Sequence, residues 1–163
     1  MYQALVPNAV RMLNNLSDIL AKAAAHCEAR QIDEQAFLQS RLFPDMFPLL
    51  RQVYIATDMI KGGGARLAGV EIPKFEDVET TFAQLQARLK KTAAFLSSLE
   101  PSQIDGSEGR EITLQLRDRQ IQFKGQDYLT QWVLPNFYFH VTTAYNLLRQ
   151  GGVEVGKRDF LGG

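Results

Sequence analysis

Cysteine is nearly absent from this chain: Cys27 is the single thiol among 163 residues. One thiol excludes an internal disulfide and any metal site built from several thiolates of one chain, so a reducing cytoplasm is the expected setting. Histidine is almost as scarce, with only His26 and His140. Neither sign of charge is in excess, since 18 Lys and Arg balance 18 Asp and Glu. No net field therefore favours nucleic acid or an acidic membrane surface. No apolar run approaches the roughly 18 residues of a membrane span. The start, Met1-Tyr2-Gln3-Ala4-Leu5-Val6-Pro7, lacks the basic and then apolar regions of a secretory signal. A soluble, cytoplasmic protein is expected. Also missing are a Gly-x-Ser-x-Gly elbow, a His-Glu-x-x-His zinc helix and a dinucleotide glycine fingerprint, so common routes to nucleophilic, zinc and nucleotide chemistry have no sequence support.

What is present is ordinary globular material. Hydrophobic residues make up 45%, with ten Phe, five Tyr and one Trp, and the length is that of one domain, residues 1–163. Leu5, Ala9, Met12, Leu16, Ile19 and Ala23 recur at helical spacing, which predicts a first helix from about Val6 to Ala29. Phe43-Pro44-Asp45 reads as a turn opening a second helix, whose core positions Met46, Leu49, Leu50, Val53, Ala56, Thr57 and Ile60 lead through Gly62-Gly63-Gly64 to Leu67. Three glycines weaken a helix by about 1 kcal/mol each relative to alanine, and close packing is the reason expected for them. A third helix carries Val78, Phe82, Leu85, Leu89 and Leu96, with Asp77 or Thr80 as its cap. Ile112, Leu114 and Leu116, then Ile121 and Phe123, alternate with polar residues. That period of two predicts a small β-hairpin packed on the helices. A fourth helix opens at Gln126-Asp127, kinks at Pro135 and stops at Gly151-Gly152.

The candidate chemistry is thin. His140 shares a helix face with Asn136 and Ala144, and taken alone it reads as a hydrogen-bonded structural residue. His26 suits the carbonyl end of the first helix. Cys27 reads as a buried structural thiol. Tyr54, Asp58 and Lys61 share one edge of the second helix. If that edge faces His140 and Tyr145, an acid, a base and two phenols surround a small-molecule pocket; otherwise Asp58 and Lys61 form an ordinary ion pair one turn apart. Lys157-Arg158-Asp159 either presents cations to a partner or pins the tail by ion pairing.

Several longer stretches carry a family likeness: Leu134-Pro135-Asn136-Phe137-Tyr138-Phe139-His140-Val141-Thr142-Thr143-Ala144-Tyr145-Asn146-Leu147-Leu148-Arg149, the tail from Gly156 to Gly162, Phe43 to Leu49, Asp58 to Gly69, and Pro73 to Asp77. Together with the Met1-Tyr2 start they resemble a bacterial family of unknown function, a branch of the DinB/YfiT-like metalloenzyme superfamily. The resemblance covers nearly the whole chain. It implies an all-α four-helix bundle with a small β-hairpin before the last helix, usually dimeric, in which three histidines of the second and fourth helices surround a divalent ion. Some members are thiol transferases using bacillithiol or mycothiol. By this resemblance His140 is similar to a fourth-helix ligand, Asn136 stands where a partner histidine is expected, and Tyr54 or Asp58 falls nearest the ligand missing from a second helix without histidine.

The resulting expectation is a cytoplasmic homodimer without the full three-histidine site or a resident metal or cofactor, and with no nucleic-acid or membrane partner. A pocket around His140, Asp58, Tyr54, Tyr145, Asn136 and Lys61 would take a small molecule. Two alternatives stand beside it: a structural or protein-interaction homodimer without catalysis, and a thiol transferase-like enzyme whose divalent metal binds at His140 with added ligands. These residues specify no reaction.

Overall fold

A proline and a salt link shape the beginning of the chain in the computed structural model, which describes residues 1–163. Helix α1 spans Tyr2–Arg30, longer than its apolar stripe predicts. Asp105 accepts from the Met1 amino group at 2.6 Å and from the Tyr2 N–H at 2.8 Å, placing negative charge where the helix dipole favours it. Pro7 lies inside the helix and lacks an N–H to give Gln3. The Asn8 side-chain amide instead donates to the Gln3 and Ala4 carbonyls, each at 3.2 Å, so the proline is accommodated without a break.

Helix α2 (Glu34–Leu38) is a single capped turn, with the Asp33 carboxylate accepting from the Gln35 N–H at 3.0 Å. Helix α3 runs Leu49–Ala68, and its start corrects the expected opening at Phe43-Pro44-Asp45. Pro48 disfavours helical backbone at Phe47 before it, so residues 43–46 close a separate turn and the helix begins only after the second proline. Met46 therefore lies outside the helix. Gly62, Gly63 and Gly64 stay helical and buried. A Cβ on Gly63 would come within 2.5 Å of Val133 Cγ1, and one on Gly64 within 2.8 Å of Leu96 Cδ2. Gly63 and Gly64 are thus a close-packing surface for two neighbouring helices, while Gly62 makes room for the Arg66 side chain of its own helix.

Helix α4 (Phe82–Ser97) is capped by Thr81 with Gln84 in a reciprocal box, where Asp77 or Thr80 was the expected cap. Val78, expected on its apolar stripe, lies before it and is 68% exposed. A short turn, α5 (Pro101–Ile104), leads to the antiparallel hairpin of β1 (Glu111–Gln115) and β2 (Gln120–Lys124), with Ile112 opposite Phe123 and Leu114 opposite Ile121. Ile112 and Leu114 are buried, and Phe123 packs against Tyr128 and Trp132. The hairpin is therefore held by the bundle.

The last long helix runs continuously through α6 (Gly125–Asp127), a π-helical stretch (Tyr128–Val133) and α7 (Leu134–Gln150). The irregularity expected at Pro135 takes the form of this widened turn, in which the Leu134 N–H reaches back to Leu129 O. Helix α8 (Lys157–Leu161) lies on α1, where Asp159 pairs with Lys22 and the Asn15 amide donates to Phe160 O at 3.0 Å. Asp159, not its cationic neighbours, anchors the tail.

Helices α1, α3, α4 and α7 form the bundle, with α1 lying along α4 and α3 along α7. Their apolar stripes meet in one core that includes Leu13, Leu20, Ile60, Phe82 and Phe137. Burying each such side chain contributes about 1.5–3 kcal/mol, which makes this core the main source of stability. No helix is long and apolar enough to cross a membrane.

Candidate functional site

His140 lies on α7 where that helix runs along α3, and only 9% of it is exposed. Its Nδ1 is 2.7 Å from Oε1 of Gln52 on α3, while the Gln52 Nε2 donates to Phe47 O at 2.9 Å. Because the carbonyl of Phe47 can only accept, it orients the amide with Oε1 toward the imidazole. The network therefore assigns the proton to Nδ1 and leaves a lone pair on Nε2. Burial pushes the His140 pKa below its ordinary value and favours the neutral ring. Every fully buried side-chain nitrogen and oxygen has a partner, so the unpartnered Nε2 is the ring nitrogen that meets solvent. The Phe139 ring stands edge-to-face with the imidazole, with ring centres 5.2 Å apart, and Phe139 is 57% exposed. Phe47 is also exposed, with Arg51 over its ring.

The edge of α3 that carries Tyr54, Asp58 and Lys61 looks elsewhere. At about 100° per residue, these positions lie about 180–240° around the helix from Gln52. Tyr54 and Asp58 meet Arg88 of α4, whose side chain is 1% exposed, and Lys61 joins them through Asp58. Arg88 Nε donates to Thr57 Oγ1 at 2.8 Å, and its Nη2 approaches Asp58 at 3.1 Å and Asp77 at 3.0 Å. Nη1 donates to Glu76 O at 3.0 Å and to the Glu79 carboxylate at 3.3 Å. Lys61 pairs with Asp58 at 2.9 Å. Tyr54 donates to Glu79 O at 2.7 Å, and burial, then the Glu79 charge, push its pKa up to about 12. It is no acid or base near neutrality. A groove of about 510 Å³ runs past Lys74, Phe75, Glu79, Arg88 and Lys91, on this side of the molecule and not at His140.

The expected six-residue pocket is therefore divided. Tyr54, Asp58 and Lys61 converge, but on Arg88. His140 faces Gln52. Tyr145 packs edge-on against Phe160 at 5.8 Å, and Asn136 gives its side-chain N–H to Trp132 O at 2.7 Å, beside the π-helical turn. The residue opposite His140 is Gln52, where the resemblance pointed to Tyr54 or Asp58. Gln52 and Arg88 were the residues that sequence reasoning missed. Each is a polar residue set into an apolar stripe, Gln52 between Leu49 and Ala56 and Arg88 between Leu85 and Thr92, and that misfit was the available signal.

The residues beside His140 do not fit the divalent site that the resemblance implies. The second donor is a neutral amide oxygen already accepting from Nδ1, and the nearest expected carboxylate, Asp58, lies around the helix. Nowhere do three His, Cys, Asp or Glu side chains gather in a way that would hold an ion. Elsewhere, Cys27 is buried and its thiol pKa is raised by that burial, and His26 packs near Phe37 with ring centres 6.2 Å apart.

The family described as "Domain of unknown function (DUF1993)" matches residues 1–161. No curated protein matches the chain. Among solved structures, a DinB family member protein from Shewanella denitrificans is 40% identical, with a TM-score of 0.93 over 99% of this chain and 92% of that one.

Proposed function

The chain belongs to the DUF1993 family, and from that membership we propose that it is a DinB-like bundle that binds a small molecule at His140 and does so without a resident divalent ion. The observation that carries this reading is the relay from Phe47 O through Gln52 to Nδ1 at 2.9 and 2.7 Å. It locks one tautomer and leaves Nε2 as a neutral acceptor on a ring that stands edge-to-face with the exposed Phe139. A ligand with an O–H or N–H donor on an apolar body suits that pair of features. A thiol transferase-like metal site would need further ligands beside His140, and Gln52 in their place supports binding over metal-dependent transfer.

Nitrogen-detected NMR of the imidazoles, combined with a fragment screen, tests the reading. Bound fragments are expected to shift His140 Nε2 and to lose their affinity in His140→Ala. Fragments that bind His140→Ala as they bind the wild type would overturn the site. Stoichiometric zinc, iron or nickel in the purified protein would overturn the metal-free reading.

A second reading, the interaction homodimer, is favoured by the display of Phe43, Phe47 and Phe139, each more than half exposed. Its occupant is a second copy of the chain. Light scattering that finds only monomer at high concentration would remove it. The reading also keeps the protein in the cytoplasm, where its unpaired Cys27 stays reduced.

A further inference from the structure

The segment joining α3 to α4, residues 69–81, contains no buried residue, yet it covers one of the most buried charges in the protein. Arg88 is tethered from behind by Thr57, which accepts from Nε, and Tyr54 lies under its guanidinium at 4.6 Å. The two terminal nitrogens point outward as a fork. That fork is filled by the segment itself: Nη1 by Glu76 O and the Glu79 carboxylate, Nη2 by Asp77 together with Asp58 of α3. Phe75 adds a ring held by two cations, Lys61 at 4.0 Å and Lys91 at 4.2 Å. Beyond Val70, which packs against the core at the end of α3, polar and cation–π contacts hold this strap, and none of its side chains is buried.

We propose that Arg88, supported by Lys61 and Lys91, is a binding site for a small dicarboxylate, covered by the strap and filled by the strap's own Asp77 and Glu79. A guanidinium fork anchored at Nε matches carboxylate geometry. Without the strap acids, Asp58 is the one carboxylate of the cluster left against these cations. Asp77 and Glu79 occupy the fork as tethered competitors, so an external ligand binds with its intrinsic affinity reduced by the fraction of molecules whose strap is open. The groove beside Phe75 is the route by which a ligand reaches the fork.

Succinate is the probe, added at constant ionic strength because added salt alone weakens ion pairs. In Asp77→Asn/Glu79→Gln, which keeps the shape of both side chains, succinate is expected to bind about tenfold or more tightly than in the wild type. The Arg88 Nε–H resonance should report the binding. Adding Arg88→Lys to that protein should abolish the gain. A folded double variant with no succinate binding, or a triple variant that binds as well as the double, overturns the proposal. If the double variant does not fold, hydrogen exchange of the wild type decides: residues 70–80 should exchange faster in succinate than in sodium chloride of equal ionic strength, and unchanged exchange overturns it.

Discussion

The bundle buries polar groups at two places along α3, and it treats them in opposite ways. Toward α7, Gln52 and His140 form a neutral pair with one nitrogen left over. Toward α4, Arg88 is fully charged and every terminal nitrogen is engaged, with three carboxylates and a backbone carbonyl around it. A buried charge without partners is very costly, whereas a neutral imidazole tolerates an unpartnered acceptor that touches water. The difference explains why the spare hydrogen-bonding capacity sits at His140, while the charged cluster is closed by its own strap.

The largest effect should come from Arg88→Ala. It leaves Asp58, Asp77 and Glu79 without their common cation, and because those carboxylates are partly exposed the loss should be about 2–4 kcal/mol in chemical denaturation. A loss below that of a surface ion pair would mean that the clasp does not hold the strap. Next comes Gln52→Leu, which removes the acceptor from Nδ1–H and the donor from Phe47 O and should cost about 1–3 kcal/mol. The same variant should let His140 populate both neutral tautomers, visible in its ring nitrogen shifts. Wild-type-like shifts would show that Gln52 does not set the tautomer.

The two regions should also respond at opposite ends of the pH scale. His140 has a lowered pKa, so the unfolded chain takes up its proton before the native state does. Its contribution to stability is present above the ordinary histidine value of about 6.5 and is lost as pH falls from there to the lowered native value. Tyr54 has a pKa raised to about 12. Its contribution is full below the ordinary value of about 10 and is lost as pH rises from there through the native value. Denaturation midpoints of His140→Phe and Tyr54→Phe against pH should flatten the acid and alkaline limbs respectively. A limb that survives its substitution belongs to another group. The smallest effect should be Asp58→Asn, about 1–2 kcal/mol: Arg88 keeps Asp77 and Glu79, but the buried Lys61 loses its one carboxylate and keeps only an amide oxygen in its place. A cost equal to that of Arg88→Ala would make Asp58 the principal partner and the strap acids incidental.

Much of the fold was legible in the chain because side-chain burial repeats with the backbone. The stripe from Leu5 to Ala23 and the alternation from Ile112 to Phe123 each carry one period, and each forms the element that the period requires. Boundaries were less legible. The start of α3 depended on Pro48 acting on Phe47, and Val78 looked like a stripe residue although the capping box at Thr81 begins the helix after it. For the candidate site, the common edge of Tyr54, Asp58 and Lys61 was readable from helical spacing, but the helix facing that edge was not. The resemblance drew attention to His140 as a fourth-helix ligand, and the structure sets that residue against Gln52 of the second long helix. Its partner there was unreadable because Gln52 looked like a lapse in an apolar pattern.

By itself, then, the sequence determined four long helices, a hairpin, their family and the scarcity of histidine and cysteine, since these follow from composition and from periods of a few residues. The tertiary structure alone decided that α3 sends Gln52 to His140 and Tyr54, Asp58 and Lys61 to Arg88. Rotation about a helix axis is local, but which neighbour waits on each face depends on how whole helices pack, and Gly63 and Gly64 bring those neighbours close enough to make the choice.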